Sequence, residues 1–248
     1  MGPMIRLRQI ALVAHELEPV LTSLQTELGV EVAFRDPGVA TFGLQNAVMP
    51  IGNQFLEVVS PVQENTAGGR YLERRKGDGG YMVILQCDEH AARKARLADL
   101  GVRFAMAHDT DFYKILQLHP KDTGGSFLEI DQQTGGEDIE NGPWEPAGPD
   151  WQKARRTEVV GGIIGAVIQS EDPVRLANRW SELLDIAVAG GDRPSIELDN
   201  ATLMFVEATD GRGEGLNGLY LAPGKDPEAP KRVRICGMDI QVEGATPA

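Results

Sequence analysis

Two glutamates stand where carboxylates are costly. Glu57 lies in Phe-Leu-Glu-Val-Val and Glu129 in Phe-Leu-Glu-Ile, each in the middle of an apolar run that reads as a strand. A carboxylate buried among such residues needs compensating partners or must hold its proton to a higher pH. Two carboxyls whose environments differ can divide general acid and general base between them. The plain alternative is a pair of solvated glutamates at a strand edge.

Other segments carry weaker chemistry. Gly68–Gly80 holds Arg70, Arg74, Arg75 and Lys76, which read as a solvated basic loop or as a clamp for a carboxylate or phosphate. His119–Gly125, His-Pro-Lys-Asp-Thr-Gly-Gly, combines a turn signal with two glycines that permit close backbone approach to a ligand. The sequence has no G-x-G-x-x-G or phosphate-loop motif after a strand and no G-x-S-x-G elbow.

The elements that must position these residues come in a recurring order. Arg6–Ala14 reads as a buried strand, and Leu17, Val20, Leu21, Leu24 and Leu28 form the apolar stripe of a helix over Glu16–Leu28, closed by Gly29. Strands are expected at Val30–Arg35, Val39–Leu44 and Gln54–Val59, with turns at Asp36-Pro37-Gly38 and Pro50-Ile51-Gly52-Asn53. A second βαβββ set follows: strand Tyr81–Cys87, helix Asp88–Leu100, and strands Val102–Ala107, Ile115–Leu118 and Ser126–Ile130. Gln9 and Met82 are 73 residues apart and Glu57 and Glu129 are 72 apart, so two distant points of the unit keep nearly one offset, as duplication requires.

Residues 132–157, rich in Gly, Pro and acids, read as a linker whose Trp144 and Trp151 pack on the unit before it. A third module is expected from Val159–Gln169, a helix over Pro173–Leu184, and strands Ser195–Leu198 and Ala201–Ala208. A reduced fourth has strands Leu219–Ala222 and Val233–Val242 joined by a Pro-rich connection. The division expected is 1–131, 132–157 and 158–248.

The chain has 248 residues, 42% hydrophobic and 25% charged, and 24 basic against 37 acidic residues give a net charge of −13. That field disfavours nucleic acid and anionic membrane surfaces as partners. Cys87 and Cys236 sit in apolar runs and read as buried free thiols of a cytoplasmic protein. The N-terminus shows no signal-peptide pattern, and Gly2-Pro3 reads as a cloning remnant.

The repeated unit, with Gln-Ile-Ala-Leu-Val-Ala at Gln9–Ala14 and Leu118–Ile130 ending the second module, resembles the vicinal oxygen chelate superfamily of glyoxalases, methylmalonyl-CoA epimerases and extradiol dioxygenases. The resemblance implies an α+β fold in which paired βαβββ modules curl into half-open barrels, here three modules plus a reduced fourth. It also implies a divalent ion (Mn, Mg, Zn, Ni, Co or Fe) in the barrel mouth. The matching ligand places are Gln9, Glu57, Met82 and Glu129. Met82 departs from the family's His there, and a thioether is a poor ligand for a hard ion. In the C-terminal pair the matching places are Ile163, Phe205 and Gly218, so that pair is expected to close the mouth or form a homodimer surface.

The function implied is an isomerase, epimerase or lyase that abstracts a proton from a small carbonyl- or oxygen-bearing substrate. Gln9, Glu57 and Glu129 would hold the metal, and Glu57, Glu129 and His119 would carry the acid–base steps. Tyr81, Met82, His15 and Lys121 would line the substrate site, although strand alternation turns the Tyr81 side chain away from the Met82 face. Two other readings stand beside it: a metal-free protein that sequesters a small molecule, and a ring-cleaving dioxygenase, which would need a two-His-one-carboxylate face.

Overall fold

The first strand sets the geometry of everything else. In this computed structural model, which describes residues 3–191, 193–226 and 231–243, β1 (Ile5–Val13) is buried at every position. Ile5, Leu7, Ile10 and Leu12 join the main core, while Ala11 and Val13 join a second cluster on the opposite face. A strand buried on both faces belongs in the middle of a sheet. β1 pairs in parallel with β3 (Gln54–Pro61) and antiparallel with β4 (Gly79–Cys87).

The seven strands of this sheet run β2-β3-β1-β4-β7-β6-β5, with β2 (Leu44–Ile51), β5 (Phe104–Asp109), β6 (Tyr113–Leu118) and β7 (Phe127–Gln133) completing it. Helix α1 (Leu17–Leu28) buries the predicted stripe, each large apolar side chain contributing about 1.5–3 kcal/mol, and Gly29 ends it at φ 67°. Helices α2 (Ala67–Arg75), α3 (His90–Asp99) and the short α4 (Pro120–Thr123) fill the connections.

The second sheet has six strands in the order β12-β13-β11-β8-β10-β9. β8 (Val160–Ser170) leads into α5 (Pro173–Leu184), whose bounds are those read from the sequence, and then into β9 (Ser195–Glu197) and β10 (Thr202–Glu207). β11 (Gly215–Pro223) is followed by β12 (Lys231–Ile235) and β13 (Met238–Val242). The Pro-rich connection expected before β12 lies largely outside the described residues. The fold is thus α+β, with two mixed sheets built from paired βαβββ-type units.

The two sheets share one core, and polar side chains stitch them at several places, three of which bear on the sheet edges and the 212–214 loop. The Gln54 amide stands in for a strand edge, donating to the Ile163 carbonyl and accepting from the Ile163 N–H, both at 2.7 Å. The Asn200 amide does the same at Leu7. Arg75 donates to the carbonyls of Arg212, Gly213 and Glu214, while Arg212 donates back to the carbonyls of Arg75, Gly77 and Asp78.

Several expectations need correction. No strand forms over Val30–Arg35, where Phe34 makes only an isolated bridge to Val48. Pro37–Phe42 is a 3-10 turn, its first free N–H bound by the Asp36 side chain, where a strand was expected over Val39–Leu44. The turn expected over Pro50–Asn53 is confined to Gly52 and Asn53, while Pro50 and Ile51 end β2, which can carry a proline because it is a sheet edge. The basic loop over Gly68–Gly80 is mostly helix α2, which buries Tyr71, Leu72 and Arg75. Val233–Val242 is a hairpin, because Cys236 and Gly237 both take positive φ (50° and 66°) and reverse the chain.

Candidate active site

Side-chain alternation on four neighbouring strands, β3-β1-β4-β7, aims Glu57, Gln9, Met82 and Glu129 at one face of the sheet. Two bulges adjust that face. Arg8 is an extra residue in β1 between the Leu7 and Gln9 pairings, and Tyr81 is an extra residue in β4 between the Met82 and Gly80 pairings. The second bulge corrects the expectation from alternation: Tyr81 packs in the same cluster as Met82, against Tyr71 and Phe127 at ring distances of 5.0 Å.

Glu57 is held by two amides. Gln9 Nε2 donates to its Oε2 at 2.9 Å, and Asn46 Nδ2 donates to its Oε1 at 2.7 Å. Both amides are fixed from behind by groups that can only donate. The Trp144 indole N–H donates to Gln9 Oε1 at 2.7 Å, and the Asp36 backbone N–H donates to Asn46 Oδ1 at 2.8 Å. Each amide must therefore present its NH2 to Glu57. Burial raises the Glu57 carboxyl above its ordinary value, and the two amide donors pull it back toward the ionised form.

Glu129 has the opposite environment. It hydrogen-bonds to Asp131, two residues on and on the same face of β7, and Asp131 accepts from the Tyr113 hydroxyl at 2.5 Å. Burial, then the Asp131 charge, hold the Glu129 carboxyl well above its usual value, while burial raises Asp131 to about 7. Two carboxyls this close cannot both ionise cheaply, so they share a proton, and Glu129 is the better holder. Glu57 and Glu129 remain 8% exposed, enough for each to touch solvent at the mouth while Asp131 behind them touches none.

The segment expected to be a linker forms a wall of this site. Trp144 and Trp151 are buried on Phe55, Trp144 stacked at 6.5 Å and Trp151 edge-on at 5.0 Å. The Arg8 guanidinium lies 5.0–5.8 Å from all three rings and donates to the carbonyls of Asn53, Ile139 and Gly142. Burial lowers its pKa to about 9.

The ligand places do not fit a hard divalent ion. Gln9 spends its amide oxygen on Trp144, both Glu57 oxygens accept amide protons, and Glu129 shares a proton with Asp131. Met82 offers only a thioether, which accepts from Gln117 Nε2 at 3.5 Å. Among the described residues no three His, Cys, Asp or Glu side chains converge as a metal-binding group.

The other predicted residues lie apart from the carboxyls. His119 caps α4, its Nδ1 accepting from the Lys121 backbone N–H. Lys121 lines an open cleft of about 610 Å³ with Arg175, Arg179 and Glu214. His15 pairs with Asp78 at 2.7 Å, its side chain 63% exposed. Four site residues escaped sequence reasoning: Asn46, Tyr113, Asp131 and Trp144. Asp131 alone had a signal, the Glu-Ile-Asp spacing that puts it on the Glu129 face. Cys87 and Cys236 are free and buried as expected, their thiols pushed up to about 12 by burial.

Comparison with known proteins agrees with this architecture. The model of the glyoxalase-like domain matches residues 10–184. The ethylmalonyl-CoA/methylmalonyl-CoA epimerase of Cereibacter sphaeroides is 24% identical over 131 residues, covering 51% of this chain and 97% of that protein. The human mitochondrial methylmalonyl-CoA epimerase is 24% identical over 133 residues, covering 51% and 73%. The crystal structure of a hypothetical protein from Staphylococcus aureus superposes over 97% of this chain and 99% of its own, with a TM-score of 0.71 at 12% identity, and so shares the fold.

Proposed function

The chain belongs to the glyoxalase-like domain family, and from that premise we propose that its first sheet carries an acid–base site that moves the α-proton of a small carbonyl-bearing metabolite, in the manner of an isomerase or epimerase. The observation that supports this is the contrast between the two carboxyls on one face of the sheet. Glu57 accepts from two amides that cannot turn, and Glu129 keeps a proton shared with Asp131. The amide donors favour the ionised form of Glu57, and burial beside Asp131 opposes it at Glu129, so the pair divides into base and acid, the condition for proton transfer in both directions.

In this reading Glu57 takes the α-proton and Glu129 returns one from the other side, which inverts the carbon. The Tyr81 hydroxyl, which makes no hydrogen bond among the described residues and whose ionisation is opposed by the Glu57 charge, donates to the enolate oxygen. Met82 and Phe127 flank the carboxyls as the apolar part of the wall. The distant epimerase relatives make a 2-substituted acyl thioester the first substrate to try.

The dioxygenase reading lacks its ligands: of the four histidines, His15 pairs with Asp78, His119 caps α4, His90 begins α3 and His108 lies on β5, none of them on the strands that carry the carboxyls. The sequestering reading keeps one observation in its favour, the aromatic throat of Tyr71, Tyr81 and Phe127. One experiment separates it from catalysis. Methylmalonyl-CoA and a panel of 2-substituted carbonyl acids are incubated with the protein in D2O and followed by NMR. Loss of the α-proton signal with wild type and not with Glu57→Gln supports the acid–base site. Tight binding of a panel member with no exchange would replace it with sequestration.

A further inference from the structure

The orientation of one amide decides what this face can hold. A glutamine at the Gln9 place ligates a cation through its oxygen, yet here the oxygen faces away from Glu57 and the nitrogen faces it. The cause lies outside both strands. An indole N–H can donate and cannot accept, so the group 2.7 Å from it must be an acceptor. With the oxygen so engaged, only the NH2 is left for Glu57.

Nor can the indole turn. Trp144 is 1% exposed, stacked on Phe55 and edge-on to Tyr113 at 5.4 Å. Its segment is tied down on either side by buried donors to backbone carbonyls: Arg8 to Ile139 and Gly142, and the Trp151 indole to Gly142.

We infer that Trp144 is a positioning residue that converts Gln9 from a cation ligand into a hydrogen-bond donor, so that the face holds protons and excludes hard divalent ions. Met82 contributes by withholding a nitrogen ligand, but it is the lesser cause: a histidine there would still face the Gln9 NH2 and not its oxygen. The inference bears on catalysis only through the proposed role of Glu57, and its test does not use activity.

The test has two arms on the full chain. In the first, the three indole N–H groups are followed by 15N NMR in wild type and Gln9→Met. The Trp144 resonance is expected to shift and exchange faster with solvent, while Trp151 and Trp180, which donate to the Gly142 and Thr123 carbonyls, stay in place. An unmoved Trp144 resonance would overturn the inference.

In the second arm, Co2+ and Mn2+ are titrated by calorimetry into wild type, Met82→His, Trp144→Phe and the double variant, with Glu57→Gln as the control for sites elsewhere. Wild type is expected to show no Glu57-dependent uptake. The double variant is expected to bind one ion about 10- to 100-fold more tightly than Met82→His alone, the range that a partner behind a ligand commonly controls. One ion bound by wild type and lost in Glu57→Gln would overturn the inference, as would equal affinity of Met82→His and the folded double variant. Should the double variant fail to fold, the NMR arm decides.

Discussion

Arg8 and Tyr81 are the extra residues of two bulges, one in each of the antiparallel central strands, each directly before the ligand place of its own strand. They are 73 residues apart, the same offset as Gln9 and Met82, so the bulge itself belongs to the repeated pattern. The two copies have diverged in use. Arg8 is buried against Phe55, Trp144 and Trp151 and anchors the segment that follows the first sheet, whereas Tyr81 joins the aromatic wall at the mouth.

Tyr81 therefore offers a clean separation of structure from chemistry. Its ring packs against Tyr71 and Phe127, but its hydroxyl has no partner among the described residues. Tyr81→Phe should leave stability within about 0.5 kcal/mol of wild type, while α-proton exchange falls by roughly 10-fold or more, given that a single donor to a developing oxyanion is commonly worth more than that. Urea unfolding and exchange kinetics on the same preparation check both halves. Unchanged exchange would remove the hydroxyl from the mechanism.

Asp131 should make the fold pH-sensitive. Its folded-state carboxyl holds a proton more tightly than an unfolded one, up to about 7 from an ordinary 3.8. The stability this provides is complete below the lower value and is lost as pH rises through the upper one. Asp131→Asn should remove that slope, so the melting temperature of wild type relative to the variant should decline between about pH 4 and about pH 7. Taking the difference cancels groups of opposite sign, such as Asp122, whose carboxyl is lowered by Arg103. A difference constant with pH would contradict the shared proton.

Arg75 is a buried tie between the two halves of the molecule. Three carbonyls of the 212–214 loop accept from one of its nitrogens, and the side chain is 2% exposed. Arg75→Met keeps much of the volume and strands those carbonyls, so a loss of about 3 kcal/mol or more is expected. Chemical denaturation measures it, and limited proteolysis should show earlier cleavage near Gly211–Gly213. A loss below about 1 kcal/mol would mean that the apolar core alone joins the sheets.

Much of this architecture was legible because it is written in periodicity. The stripe of α1 with its closing Gly29, the Pro173 start of α5 and the 72–73-residue offset all survive in the structure. The failures share a cause, tertiary context overriding local preference. Pro50 hides β2 because proline is usually excluded from strands, yet an edge admits it. Gly68 and Gly69 hide α2, whose stability comes from burying Tyr71 and Leu72. Tyr81 was turned the wrong way because a bulge leaves no mark in hydrophobic alternation. Glu57 and Glu129 were visible as charges in apolar runs. The groups that hold Glu57, Asn46 directly and Trp144 through Gln9, were not, because the contacts Asn46–Glu57 and Trp144–Gln9 span 11 and 135 residues of chain and only the fold brings them together.

The central claim is that Glu57 gives up its proton more readily than Glu129, and carboxyl 13C NMR reads it directly. Protein labelled at the glutamate side-chain carbonyl carbon is titrated upward from about pH 5, with Glu57→Gln and Glu129→Gln assigning the two signals. The account predicts that the Glu57 signal moves from the acid to the carboxylate position at a lower pH than the Glu129 signal, which stays at the acid position well beyond the ordinary glutamate range. Both signals moving together at an ordinary glutamate pKa would contradict it.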